Sequence, residues 1–204
     1  MTLSVQPAKV ELVLASSSPR RQELIALLGL PVRIRPSGAP EDTPDDWPPA
    51  KIVEELSLRK ALSVREELTL DPGVSSIIVG SDTIVVLNGQ AMGKPSDGQD
   101  AERMLRKLAG TTHEVYTGVS CVRASDGLTV TSHRVTKVRM RELSEDQIGR
   151  YVATGEPMDK AGAYGIQEIG SVLVESIEGD YFNVVGLPVS LLAVMLERFE
   201  VRIP

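Results

Sequence analysis

The 204 residues allow one large domain or two small ones. With 28 acidic against 22 basic side chains the formal net charge is −6, which argues against a general nucleic-acid binder but leaves room for a local basic pocket. No apolar run approaches a membrane span, the N-terminus lacks the basic start and apolar block of a signal peptide, and the single cysteine, Cys121, rules out an intrachain disulfide; the chain reads as cytoplasmic.

Val10 to Ala15 is a short Val/Leu run that predicts a buried strand. Ser18 then stands as an N-cap with Pro19 at the first helical position. Leu24, Leu27 and Leu28 supply an apolar stripe, and Gly29 a C-cap. Gly38 to Pro49, rich in Pro and Asp, reads as a loop. Ile52 to Leu68 has helical spacing, with Val53, Leu56, Lys60 and Val64 near one face. Ile77–Val79 and Ile84–Leu87 are strand-like, with an interruption expected at Gly80-Ser81-Asp82-Thr83. Asn88-Gly89 is a hairpin turn signal.

Asp97 to Leu108 is an amphipathic helix on Ala101, Met104, Leu105 and Leu108. Val115–Arg123 and Leu128–Met140 predict two long strands around Ser125-Asp126-Gly127, with Cys121 in the core. Ser144 and Gln147 form a capping box that opens a helix to about Thr154. Gly155 to Gly170 is loop-like, Val172 to Ile177 a strand, and Pro188 begins a last helix over Val189 to Phe199. The pattern is an α/β chain with a mixed twisted sheet flanked by helices, not a regular doubly wound repeat. It predicts two lobes and a cleft within a single domain over 1–204.

Three segments carry unusual chemistry. Arg20 and Arg21 lie in the first turn of the first helix, where the dipole is already positive. A bound anion would reverse that penalty, because free N–H groups and guanidinium forks both suit phosphate oxygens. Ser16, Ser17 and Ser18 add hydroxyls; the competing reading is a capped surface helix with two solvated arginines. Asp82 lies between two apolar runs, where an unpaired buried charge is costly. Presented at a cleft, it could hold a metal ion or orient a water; otherwise it caps a neighbouring turn. The segment Asp159 to Gln167 is small and glycine-rich, and Gln167 offers a donor and an acceptor to the edge of a base. Lys94, between Gly93 and Pro95, is a point cation in a stiff exposed place, and Lys60 alone reads as a surface lysine. His113 and His133 lack metal-ligand spacing and read as structural.

Taken together and in this order, six segments resemble the Maf family of nucleotide pyrophosphatases. They are Leu14 to Arg21, Gly80 to Val86, Gly93-Lys94-Pro95, His113 to Gly118, Asp159 to Gln167, and Gly179 to Pro188 without Phe182. The resemblance implies a mixed α/β fold with a deep nucleotide-binding cleft, a divalent cation (Mg²⁺ or Mn²⁺), and cleavage between the α and β phosphates. It implies Asp82 as proton acceptor, with Glu41 as its partner in holding the metal. Ser16, Ser18, Arg20, Arg21, Lys60 and Lys94 become triphosphate ligands, and Arg20, Thr83 and Gln167 match positions tied to substrate choice. The Asp-Lys-Ala-Gly-Ala-Tyr-Gly-Ile-Gln form looks like the branch acting on dTTP and UTP. Ser81 stands where Ala is common, and Glu168 where Gly often follows. By the same resemblance a homodimer is expected. The partner set is a nucleoside triphosphate, with no nucleic acid and no membrane. The alternative is a non-catalytic nucleotide-binding regulator of cell division.

Overall fold

The computed structural model describes residues 9–203; the first residues, read above for a leader segment, lie outside that range. Strand β1 (Lys9–Leu14) pairs in parallel with β2 (Val32–Ile34) on one side and with the first half of β3 (Val74–Leu87) on the other. The turn at Asn88-Gly89 has φ of 51° and 78°, as a two-residue hairpin requires, and returns β4 (Gln90–Met92) along the far end of β3. On the other edge of β3, β5 (Thr112–Arg123), β6 (Thr129–Met140) and β7 (Val174–Glu178) follow antiparallel. The result is a seven-stranded mixed sheet, ordered β2-β1-β3-β5-β6-β7 with β4 beside β3.

Helices α1 (Pro19–Ala26), α2 (Pro49–Glu67), α3 (Gly98–Leu108), α4 (Glu145–Ala153), α5 (Tyr181–Val185) and α6 (Val189–Leu196) flank it. Ser18 caps α1, Asp97 caps α3, and Ser144 and Gln147 make both bonds of the expected capping box on α4. Strand side chains alternate in direction, and the cores follow that alternation. On one face, Leu12, Leu14, Ile77, Val79 and Cys121 pack with Leu24 and Ile25 of α1 and Leu192 of α6. Further along the same strands, Val85, Val115 and Val138 pack with Leu105 of α3 and Ile148 of α4. Ser81, Thr83 and Thr117 occupy the β3 and β5 positions between those two cores, so the face changes from apolar to polar and back. The opposite face buries Val13, Ile78 and Val122 against Ala61 and Val64 of α2. Among the described residues no helix is long and apolar enough to cross a membrane.

Several sequence expectations need correction. The break at Gly80 to Thr83 is absent: β3 pairs with β5 without interruption from Ile77 to Val86. Gly80 serves helix packing instead. A Cβ on Gly80 would lie 2.0 Å from the Ser57 carbonyl oxygen, and one on Gly118 2.1 Å from that of Val53, so α2 rests directly on the sheet backbone. The stripe on α1 runs through Leu24, Ile25 and Leu28, while Leu27 is 63% exposed, because Ile25 sits nearer the helix face that meets the sheet. Segment 155–170 is not a plain loop but a series of 3₁₀ turns, and the last of them, Glu168–Leu173, delays β7 to Val174. The last helix ends at Leu196 and tightens to a 3₁₀ turn through Phe199. Strand β2 and helix α5 had no periodic signal, being too short to show one.

Burial fixes the chemistry of two residues read as structural. It pushes the Cys121 thiol up to about 12, so the side chain is an inert apolar filler. His113, on β5, is 2% exposed, its Nε2 is 2.7 Å from the Tyr164 hydroxyl, and desolvation pushes its pKa down to about 4. The unfolded imidazole takes a proton below about pH 6.5, whereas the folded one resists until about pH 4, so stability is lost as pH falls through that window. A loss of about 2 kcal/mol from this group is expected between pH 7.5 and 5. Urea unfolding at the two pH values checks it: His113→Gln should remove that part of the drop, and a variant that keeps all of it would contradict the assignment.

Candidate active site

The other edge of β3 has a gap. β1 pairs with β3 only as far as Val79, and β4 begins at Val85, so neither strand pairs with residues 80–84 on that edge. The gap lies just past the carboxyl end of β1. Connection α1 packs on one face of the sheet and α2 on the other, which makes β1/β3 a topological switch point, the usual place for a ligand crevice in such sheets. A cleft of about 690 Å³ opens there. All ten residues singled out by sequence line it: Ser16, Ser18, Arg20, Arg21, Glu41, Lys60, Asp82, Thr83, Lys94 and Gln167.

They form two bonded groups. On the α2 face, Lys60 Nζ donates to Asp82 Oδ1 at 2.6 Å and lies 2.7 Å from Glu41 Oε1. Lys60 is not a surface lysine; both it and Asp82 are buried, at 9% and 8% exposure. Its place in the Val53–Leu56–Val64 stripe was the sequence signal for this burial. Lys60's hydrogen bond holds the Glu41 carboxyl below its ordinary range, helped by the fields of Lys94 and Arg21. Glu41 itself sits on the loop before α2 and is exposed.

On the opposite face, Arg21 Nε donates to the Gly186 carbonyl at 2.8 Å and Nη2 to Thr83 Oγ1 at 3.0 Å, with Nη1 3.5 Å from Ser16 Oγ. Three of its five N–H groups are thus used to fix the fork, and two remain. Burial pulls the guanidinium below its ordinary value, against the opposing field of Asp82, and an arginine starts high enough to remain charged. Thr83 Oγ1 is 2.9 Å from Thr117 Oγ1, which donates to the Asn183 carbonyl. Asn183 is fully buried and ties α5 to β5 and β6 through Val115 O and Thr136 Oγ1. Ser81, also fully buried, donates to the same Gly186 carbonyl at 3.0 Å.

The remaining candidates differ in how they are held. Ser18 Oγ accepts from Arg21 N as the α1 cap, and Ser16 Oγ accepts from Ser18 N. Arg20 is not solvated alone but pairs with Asp159 at 3.2 Å, which also accepts from Lys160 Nζ at 2.8 Å. Lys94 is exposed and makes no ion pair among the described residues. Gln167 is half-buried on a turn. His133 lies apart from this site, its Nδ1 2.7 Å from Glu54 Oε1. Sequence reading placed Ser81, Thr117, Asn183 and Gly186 within matching segments but gave them no role, because each acts through a backbone carbonyl, a buried hydroxyl or a buried amide whose partners only the fold supplies. Among the described residues no cluster of three His, Cys, Asp or Glu side chains could hold a metal alone.

Comparison with known proteins gives the family. A dTTP/UTP pyrophosphatase of Moorella thermoacetica is 51% identical, with the alignment covering 95% of this chain and 97% of that one. One of Pelotomaculum thermopropionicum is 48% identical over 93% and 96%. In fold alone the chain is similar to the Staphylococcus aureus Ham1 protein, at a TM-score of 0.53 and 15% identity over 93% of this chain and 99% of that one. The family description "Maf-like protein" matches residues 11–199, and the chain belongs to that family.

Proposed function

We propose that this protein hydrolyses dTTP and UTP to the nucleoside monophosphate and pyrophosphate, with a water attacking the α phosphorus in line. The observation that carries the reading is the cleft at the β3 gap. It sets the Lys60–Asp82–Glu41 group on one side and the anchored Arg21 fork on the other, beside the exposed Lys94. The similarity to relatives named dTTP/UTP pyrophosphatases supports the choice of substrate.

Each residue then has a task its geometry permits. Asp82 Oδ1 is taken by Lys60, and Oδ2 has no partner among the described residues, so it can accept the proton of the attacking water. One bond forms from that water oxygen to phosphorus, and the bond to the bridging oxygen breaks, leaving pyrophosphate. Lys60 has a third N–H free, and Arg21 two, for phosphate oxygens. Arg20 and Lys94 add charge at the mouth, and these cations oppose the charge that gathers on the leaving group. Ser16 and Ser18, at the N-terminus of α1, border the same phosphates. Thr83 and Gln167 read the base and sugar.

The donor set also fits a divalent cation. Asp82 and Glu41 are hard oxygen donors that each keep one oxygen off Lys60, and these two carboxylates would hold a Mg²⁺ or Mn²⁺ ion. Such an ion supplies Lewis-acid polarisation of the phosphate and a more acidic water. A weakly basic aspartate then suffices at neutral pH, its reference pKa being about 3.9.

Incubation with dTTP, UTP and other triphosphates, with and without Mg²⁺ or Mn²⁺, followed by ion-exchange separation of products, tests the proposal. dTMP or UMP with pyrophosphate is expected. Release of orthophosphate, or no product from any triphosphate, would overturn it.

A further inference from the structure

Gln167 projects from the turn 165–170 into the cleft, and its amide has no hydrogen-bond partner among the described residues. The turn itself is gripped from behind by two side chains that do not line the cleft. Glu156 Oε1 accepts from Gly170 N at 2.9 Å, and its Oε2 accepts from Ile169 N at 3.1 Å. The same Oε1 accepts from the Tyr151 hydroxyl at 3.0 Å, and that hydroxyl oxygen in turn accepts from Gly165 N at 3.1 Å. One carboxylate and one phenol thus take backbone N–H groups on both sides of Gln167, two residues before it and two and three after it.

The clamp is anchored in rigid structure. Tyr151 is 3% exposed, on the last turn of α4, and packs in the core with Leu105 and Ile148. Burial raises its pKa, and the neighbouring Glu156 raises it further, so the phenol keeps its proton and remains a donor. Glu156 starts the 3₁₀ turn that follows α4, and its own carbonyl accepts from Lys160 Nζ at 2.7 Å. Arg20's partner Asp159 and the turn bearing Gln167 therefore hang from the same few residues.

We propose that Tyr151 and Glu156 are positioning residues for base selection. They touch no substrate; they fix the backbone from which Gln167 reaches the base. Without the Tyr151 hydroxyl, Gly165 N and Glu156 Oε1 each lose a partner. With glutamine at 156, an acceptor oxygen becomes an NH₂ donor facing a backbone N–H. Either change frees the turn while the phosphate end of the cleft, held by α1, α2 and β3, stays as it is. The inference rests on the assignment of Gln167 to the base made under the proposed function.

Two probes separate the ends of the cleft. α,β-Imido-dTTP carries both phosphates and base, and inorganic tripolyphosphate only phosphates. In Tyr151→Phe and Glu156→Gln, affinity for the imido analogue by calorimetry should fall about tenfold, the scale of one or two lost hydrogen bonds. Tripolyphosphate affinity should not change. KM for dTTP should rise in step with the lost affinity while kcat stays within about threefold of wild type, and amide exchange at Gly165, Ile169 and Gly170 should quicken. Adding Gln167→Ala to Tyr151→Phe should cost no further affinity. Parallel loss of both probes, no loss of either, or an additive loss in the double variant would overturn the clamp. Gln167→Ala protein that binds the imido analogue as tightly as wild type would overturn the assignment of Gln167 itself. Tyr151→Phe removes one oxygen and leaves the ring packed, so it tests the idea even if Glu156→Gln folds poorly.

Discussion

Asp82→Asn protein should fold, bind dTTP, and turn it over about 10²–10⁴-fold more slowly than the wild type, the range for loss of a general base. Asparagine is nearly isosteric and keeps an oxygen for Lys60 Nζ, which also retains Glu41. The buried ammonium is thus not left alone, and the large penalty for an unpaired buried charge does not arise. Binding should persist because, on the proposed roles, the phosphates are taken by Arg21, Lys60, Lys94 and the α1 terminus. What disappears is the anionic Oδ2, both as a proton acceptor and as the ligand it would offer a divalent cation. Calorimetry with the imido analogue and single-turnover measurements with dTTP separate the two quantities. Near-normal turnover in folded Asp82→Asn protein would remove Asp82 from the role.

Gly80→Ala should lower both stability and turnover. Its new Cβ would meet the Ser57 carbonyl oxygen at 2.0 Å, with Ala61 N at 3.0 Å and Ala61 Cβ at 3.1 Å, so relief requires helix α2 to lift from the sheet. Overpacking of this kind costs about 1–3 kcal/mol, and more where the obstacle is backbone. Lys60 lies three residues after Ser57 on that helix, and a shift of about 1 Å near a reacting centre can cost about 100-fold in rate. Gly118→Ala should show a comparable loss of both stability and turnover, since its Cβ would lie 2.1 Å from Val53 O and Gly118 is paired directly with Asp82 across the sheet. Chemical denaturation and kcat on the two variants check this. A Gly80→Ala protein with wild-type midpoint and wild-type kcat would show that α2 is not held by this contact.

These two residues also mark where the sequence was readable and where it was not. Strand and helix types followed from periodicity wherever an element was long: α2, α3, β5 and β6 lie close to their expected ranges. The capping box at Ser144 and the Asn88-Gly89 turn are local chemistry, and both form as expected. Gly80 was misread because a glycine inside a strand signals either a break or a close approach, and only the partner across the sheet decides between them. The cleft lining was legible through side chains with an evident charge problem, such as Arg20, Arg21 and Asp82. Lys60 alone looked ordinary; its pairing with Asp82 joins residues 22 apart in sequence through the fold. The Gly186 carbonyl, which holds both Arg21 and Ser81, belongs to the backbone and carries no residue signature at all.

The unpaired stretch of β3 has a consequence for how such an enzyme can change. Consecutive residues of a strand point to opposite faces, and at the gap both faces open onto one cleft. Asp82 therefore works with Lys60 on the helix α2 side, while its neighbour Thr83 works with Arg21 and Thr117 on the other. On the proposed roles, selectivity and proton transfer are one peptide unit apart in the chain, yet their side chains make separate sets of contacts. Because Thr83 also anchors Arg21 Nη2, a replacement there would leave the Asp82–Lys60 pair intact but loosen the phosphate fork, so on the proposed roles base choice can change with the proton acceptor in place, at a cost in phosphate binding.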